Sequence, residues 1–248
     1  MPGSCSPREF CPLFTGLSDE DYIYALRFFS AEEKKIAKGE ILKLPGDSLG
    51  FFAFVISGTV QVYMDDVNGN RMIMNTVGPG KMFGESLCYI GRKSYAYIQA
   101  TSDTVLLKMN AVRVCSFSAS NEIFSSAGYE MKTAPENRAR SSKISSFCSF
   151  DPRDVLLSGR FTAVLAARTL AMNRRIQILS KLTIREKLLT FLSQECAVSG
   201  KNTVEITMNR EDMAAYLGTN VSALSRELGN MKREGLIDFR KNRFQVLK

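Results

Sequence analysis

Four side chains able to make directional polar contacts stand together near the C-terminus: Asn220, Ser222, Ser225 and Arg226, in the stretch NREDMAAYLGTNVSALSREL at 209–228. A carboxamide, two hydroxyls and a guanidinium form hydrogen bonds; they do not make a nucleophile–base pair. On a helix, 222, 225 and 226 share one face, with Val221 beside them. Such a set reads another molecule. Arg can hold a guanine bidentately, Ser can give or accept one bond, and Val can touch a thymine methyl. Bond-breaking chemistry has little to work with, because the 248 residues contain no histidine. That excludes histidine acid–base catalysis, Ser-His-Asp and Cys-His triads and imidazole metal sites. Six cysteines (5, 11, 88, 115, 148 and 196) are scattered without CxxC pairs, which reads as free thiols. No metal site and no catalytic residue is expected, and no cofactor is assigned.

The elements that must position this set can be read around it. Asn209 is an N-cap with Asp212 three residues on. A helix then runs through Met213, Ala214 and Leu217, and Gly218 can take the left-handed conformation that ends it. Asn220 caps a second helix, whose Leu224, Leu228 and Met231 face inward. This is a helix-turn-helix pattern. It sets Val221, Ser222, Ser225 and Arg226 outward on the first turns, the part of a recognition helix that meets base edges in the major groove of double-stranded DNA. Asn209, Arg210, Thr219 and Asn220 suit phosphate contacts. The terminal GLIDFRKNRFQVLK reads as two strands around Lys241-Asn242-Arg243, a basic wing with Arg240, Lys241 and Arg243 along the backbone.

Upstream, the texture changes several times. Residues 12–36 read as a helical lead-in, with Leu17, Tyr22, Ala25, Leu26 and Phe29 at helical spacing behind Ser18. From 39 to 110, short apolar or alternating segments are separated by turn residues, with Asn68-Gly69 a hairpin signal. They predict an antiparallel β-roll of the jelly-roll kind. Residues 111–157 are polar, rich in Ser and broken by Pro135 and Pro152. Residues 158–181 predict a long helix with Phe161, Leu165, Met172, Ile176 and Leu179 on one stripe, either packed on its own domain or forming a helix–helix dimer seam. Residues 183–196 predict another amphipathic helix. The fold class is α+β, with a β-roll over 1–110, a polar connector over 111–157, a dimerisation helix over 158–181 and a winged helix over 182–248. A β-roll enzyme of the cupin kind would hold metal through histidines, which are absent.

Charge points the same way. Residues 158–248 hold 16 Lys and Arg against 8 Asp and Glu, whereas residues 1–157 hold 17 of each. The whole excess of +8 sits in the last third, which suits a polyanionic partner. No apolar run approaches a membrane span and the start lacks the layout of a secretory signal, so no membrane partner and a cytoplasmic location are expected.

With these elements in place, the chain resembles the Crp/Fnr superfamily of bacterial transcription regulators. The resemblance rests on CPLFTGLSDED at 11–21, KGEILKLPGDS at 38–48, ISGTVQVY at 56–63, GPGKMFGES at 78–86, TIREKLLTFL at 183–192 and MNREDMAAYLGTNVSALSREL at 208–228. It implies a homodimer in which a signal sensed in a cyclic-nucleotide-binding-like β-roll switches two reading heads, with RNA polymerase as a partner if the regulator activates. Val221, Ser222 and Arg226 match the family's base-reading triplet. Many members carry Arg-Glu at the first two of these positions, so the target should differ from that of the cyclic-AMP receptor protein. The effector pocket would comprise Gly84, Glu85, Ser86, Ser94 and Tyr95. Ser94 and Tyr95 fall where cyclic-nucleotide binders carry Arg and Ser or Thr, while Arg92 and Lys93 lie too early. The resemblance therefore implies an unknown small-molecule effector other than cyclic AMP. Cyclic-nucleotide binding, an iron–sulfur or thiol sensor, and a protein-binding adaptor without DNA contact remain alternatives. The oxygen-sensing members' N-terminal cysteine cluster is represented only by Cys5 and Cys11, and their distant cysteine position falls at Lys108.

Overall fold

The computed structural model describes residues 4–65, 71–119 and 151–247. The chain divides into two compact units, Met1–Leu165 and Ala166–Lys248. In the first, helices α1 (Pro7–Phe10) and α2 (Asp19–Phe28) lead into strands β1 (Glu32–Ile36), β2 (Ile41–Lys43), β3 (Phe52–Ser57), β4 (Val60–Asp65), β5 (Arg71–Val77) and β6 (Met82–Phe83). Helix α3 (Glu85–Ile90), strands β7 (Tyr97–Ala100) and β8 (Thr104–Met109) and helix α4 (Val112–Ala119) follow. The strands form two four-stranded antiparallel sheets, ordered β1-β8-β3-β6 and β2-β7-β4-β5. The expected β-roll is present. The hairpin signal Asn68-Gly69 lies outside the described residues, between the paired strands β4 and β5.

Strand β3 shows how one sequence serves two cores. Its run FAFVIS is buried on both faces, as a continuous apolar strand must be. Ala53 and Val55 turn into the roll, against Val60, Phe83, Ile98 and Leu106. Phe52 and Phe54 turn outward, against Phe14, Phe28, Phe29 and Phe161. The rings meet edge-on or tilted, with centroids 4.9 Å apart for Phe28–Phe29, 5.8 Å for Phe29–Phe52 and 5.2 Å for Phe52–Phe161, within the favoured range for aromatic pairs.

Three expectations change. The helical lead-in stops at Phe28, and Ser30, at φ 48, turns the chain. Residues 32–36 then form β1, paired with β8 from Glu32↔Lys108 to Ile36↔Thr104; pairing with a neighbouring strand overrides the helical propensity of EEKK. The long helix, α5, spans Pro152–Leu179 and starts before Ser158. Pro152 begins it, because a proline in the first turn has no N–H to lose, and the Asp151 carboxylate accepts the Arg153 N–H at 2.9 Å. Finally, α5 is long and apolar enough by composition to cross a membrane, contrary to the reading that no segment is. Its first half is a core element: Leu157 and Phe161 are buried, and Arg160 donates to the Thr15 carbonyl at 2.7 Å.

An ion pair ties α4 to the start of α5. Arg113 Nη2 lies 3.1 and 3.2 Å from the two Asp154 carboxylate oxygens, and the Tyr24 hydroxyl donates to the same carboxylate at 2.6 Å.

The second unit contains the rest of α5, α6 (Ile184–Ser199), β9 (Thr203–Glu205), α7 (Arg210–Tyr216), α8 (Val221–Arg233), β10 (Ile237–Arg240) and β11 (Arg243–Val246). Its sheet is ordered β10-β11-β9. Thr183 and Glu186 form a reciprocal capping box at the start of α6. Leu188, Phe191 and Leu192 pack against Met213, Leu224, Leu228 and Met231.

The stripe expected on the long helix splits. Phe161 is buried and Leu165 packs beside it in the first unit, while Met172, Ile176 and Leu179 are exposed. Ile178, on another face, is fully buried in the core of the second unit. Phe161→Ala is expected to destabilise the first unit by about 3–5 kcal/mol, the range for deleting a fully buried aromatic ring, measurable by guanidinium unfolding.

Candidate nucleic-acid interface

The second unit is built around one tight turn. At the end of α7 the Gly218 N–H bonds the Ala215 carbonyl at 3.3 Å and the Thr219 N–H bonds the Ala214 carbonyl at 2.9 Å. Gly218 sits at φ 62. This is a Schellman closure, which needs a left-handed residue at that place. The Asn220 side chain then accepts the Ala223 N–H at 2.7 Å and starts α8. Leu224, Leu228 and Met231 are buried, and the remaining faces of α8 are left to solvent.

Val221, Ser222, Ser225 and Arg226 are all exposed at the start of α8, as the sequence predicts, and its first turn has no acidic residue. The positive end of the helix dipole and its free N–H groups therefore meet an incoming polyanion without a repelling carboxylate. The last turn carries Lys232 and Arg233, the sign that suits a helix C-terminus.

The expected phosphate contacts divide. Arg240, Lys241 and Arg243 are exposed on the β10–β11 hairpin and, with Glu205, Arg210 and Asn242, line a shallow groove. Asn220 is exposed and Thr219 half-buried. The Asn209 side chain is engaged as a cap, accepting the Asp212 N–H at 2.8 Å, and the turn it starts carries the carboxylates of Glu211 and Asp212. Arg210 is a bracket rather than a free cation. Its guanidinium carbon lies 5.4 and 5.1 Å from the ring centroids of Phe239 and Phe244, and Nη2 donates to the Lys241 carbonyl at 2.9 Å. Burial pulls its pKa below the usual arginine value. The contact holds the hairpin tip, where Lys241 sits at φ 56, a conformation that costs a non-glycine residue. The two rings that hold Arg210 were not singled out in the sequence because they lie some thirty residues away on another element.

In the roll, Gly84 (φ 86) precedes α3, and a Cβ there would lie 2.7 Å from Leu49 Cδ2. Glu85 is buried and Ser86 exposed. Of the other expected effector residues, Tyr95 is 75% exposed. Ser94 is used internally, its hydroxyl accepting the Ala96 N–H at 3.2 Å and its N–H facing the Asp47 carbonyl at 3.4 Å. Lys43 is the residue the sequence reading missed. It is 4% exposed, and its ammonium donates to the carbonyls of Leu44 and Ser94 at 2.9 Å and of Ala96 at 3.5 Å. Burial lowers its pKa, opposed by nearby Asp47. A lysine in the alternating run EILKLPG at an inward strand position was the available signal.

Cys11, Cys88 and Cys115 are buried in one core that Cys5 also touches. Among the described residues no group of His, Cys, Asp or Glu could hold a metal ion. Burial is the main cause that pushes the Cys11 and Cys88 thiols up to about 12 and Cys115 to about 11; Glu85 adds to the rise at Cys11 and Cys88.

Comparison with known proteins bears on both units. Residues 33–121 match the model of the cyclic nucleotide-binding domain, and residues 186–248 match that of the Crp-like helix-turn-helix domain, in the order the fold displays them. The chain belongs to the Crp/Fnr family. It is a DNA-binding transcription regulator with a cyclic-nucleotide-binding-like sensing domain, and regulators of this family bind DNA and act as dimers. Relatives include the regulatory protein HlyX of Actinobacillus pleuropneumoniae, 26% identical over 94% of this chain and 85% of that protein. The transcriptional activator protein FnrL of Cereibacter sphaeroides is 23% identical over 80% and 69% of the two chains. Among solved structures, the Thermus thermophilus catabolite activator protein aligns over 95% of this chain and 93% of its own at a TM-score of 0.46 and 22% identity.

The three buried thiols of this Crp/Fnr-family chain, Cys11, Cys88 and Cys115, should be inert in the native state. In a variant with Cys5, Cys148 and Cys196 replaced by Ser, Ellman's reagent at about pH 8 is expected to leave Cys11, Cys88 and Cys115 unreacted until guanidinium unfolds the protein.

Proposed function

We propose that this regulator acts as a homodimer that reads duplex DNA with Val221, Ser222, Ser225 and Arg226 in the major groove. The observation that carries the reading is the start of α8: four outward side chains, no carboxylate in the first turn, and a fully buried opposite face. The Arg240, Lys241 and Arg243 hairpin then lies along the phosphates, with Arg210 holding its tip. Asn209, Thr219 and Asn220 flank the same surface.

The dimer seam is the exposed run of α5. Met172, Ile176 and Leu179 share one face and are 66%, 60% and 41% exposed, and a second copy packed on them removes that apolar area from water. Met172 and Leu179 are seven residues apart with Ile176 four after the first, the spacing of a coiled-coil seam. The protein works in the cytoplasm, and RNA polymerase is its partner where it activates.

The effector is a small molecule other than cyclic AMP. Arg92 and Lys93 give the 91–96 loop exposed cations, but a cyclic phosphate gripped there also needs free backbone N–H donors. The Ser94 and Ala96 N–H groups have internal acceptors, and the Lys43 ammonium faces three carbonyls. Titration calorimetry with cyclic AMP is expected to give no binding heat; saturable heat at micromolar ligand would overturn this part of the reading.

For DNA, a site selected by the wild-type protein from a randomised duplex library is the probe. Arg226→Ala is expected to weaken binding to that site by about 1–3 kcal/mol, as for loss of one bidentate base contact, while binding to a scrambled duplex stays nearly constant. Equal loss on both duplexes would assign Arg226 to the backbone.

A further inference from the structure

Arg185, at the second position of α6, reaches across to α8 at two places. Its Nε donates to Glu227 Oε1 at 2.7 Å, while Nη1 and Nη2 donate to the two Glu234 oxygens at 2.8 and 2.7 Å. Glu227 is further tied to Asn230, whose Nδ2 donates to its second oxygen at 3.3 Å, and Asn230 accepts from Arg233 at 2.6 Å. The hydrogen bonds to Glu234 and Glu227 raise the Arg185 pKa, and the bond from Arg185 lowers that of Glu227.

Glu227 and Glu234 are seven residues apart, so they lie on nearly one line of the helix surface about two turns apart. Glu227 directly follows Arg226 in the chain. The apolar contacts of Leu224, Leu228 and Met231 settle which face of α8 is buried, but being non-directional they resist small rotations of the helix less sharply than a hydrogen-bonded ion pair does. A bidentate guanidinium–carboxylate pair is directional. The difference in magnitude matters for reading bases. A roll of about 20° moves a group at the outer helix radius of about 5–6 Å by about 2 Å. That exceeds the spread of about 0.5 Å that an N–H···O bond allows.

We infer that Arg185 is a positioning residue for sequence recognition: gripping Glu227 and Glu234, it fixes the rotation of α8 and thereby the placement of Ser222 and Arg226. The inference rests on the DNA reading above. The Arg185 and Glu234 side chains are 38% and 46% exposed, and ion pairs this accessible to water contribute little to stability. Variants of the pair should therefore stay folded, with thermal midpoints close to the wild type.

The test uses the full-length protein, the wild-type-selected duplex and its scrambled counterpart at one fixed salt concentration, with circular dichroism melts alongside. Arg185→Met lowers the net charge by one and Glu234→Gln raises it by one. A positioning role predicts that both reduce the ratio of specific to scrambled affinity, roughly tenfold for Arg185→Met and less for Glu234→Gln, with Arg185→Lys falling between Arg185→Met and the wild type. A phosphate-binding role instead predicts effects of opposite sign on both duplexes. An unchanged ratio in both variants overturns the inference, as does a parallel shift on the two duplexes. If Arg185→Met melts early, the Glu234→Gln ratio decides. A wild-type protein that selects no sequence overturns the DNA reading itself, an outcome distinct from all of these.

Discussion

The three residues Gly218, Thr219 and Asn220 impose the constraint on which the reading surface depends. Ending α7 with two backbone bonds and starting α8 with one side-chain bond within so few residues requires a left-handed residue at 218. Only glycine takes that conformation at low cost. The space is limited as well: a Cβ on Gly218 would come within 3.1 Å of Leu179 Cδ2. Once the turn is fixed, the buried triplet of α8 has one way to meet the core of the unit, and the outward face follows. The polar character of that face is not what folds the unit; it is what the fold leaves free.

The same turn shows that the end of the long helix belongs to the reading head. Leu179 approaches Gly218, Ile178 is fully buried in that core, and Arg175 lies 5.4 Å over the Tyr216 ring. Gln194 donates to the Gln177 side chain at 3.0 Å. The last two turns of α5 and the winged helix are thus one packed body. At its other end the same helix is packed into the first unit through Leu157 and Phe161.

Local chemistry was legible in the sequence; partnership across distance was not. Asn209, Gly218 and Asn220 announce themselves because capping and left-handed turns depend on residue type within a few positions. The alternating strands of the roll announce themselves by period. The strand nature of residues 32–36 depends on a partner strand, β8, far along the chain at Thr104–Met109. The start of α5 turned on whether Pro152 breaks a helix or begins one, a matter settled by Asp151 beside it. The stripe on α5 was read as one face with one role. In the fold, Phe161, with Leu165 beside it, and Ile178 belong to different cores, and Met172 and Ile176 between them are exposed. Arg210 was read as a phosphate contact and Lys43 was passed over, because nothing local shows that two phenylalanine rings will hold the one and that carbonyls from another loop will close over the other. The effector residues around Ser94 and Tyr95 came from the family resemblance, which aligns positions but does not show whether a residue's polar groups are already in use, as those of Ser94 are.

The Arg113–Asp154 pair has a consequence for how this chain can change. It fastens the first turn of α4 to the first turn of α5 through a contact that involves none of residues 120–150. For a chain closed in this way, doubling its length adds only about 0.6 kcal/mol of closure entropy. Length at this junction is therefore nearly neutral for the fold, and a lineage could gain or lose whole segments here while both anchors, and the helix they start, stay as they are.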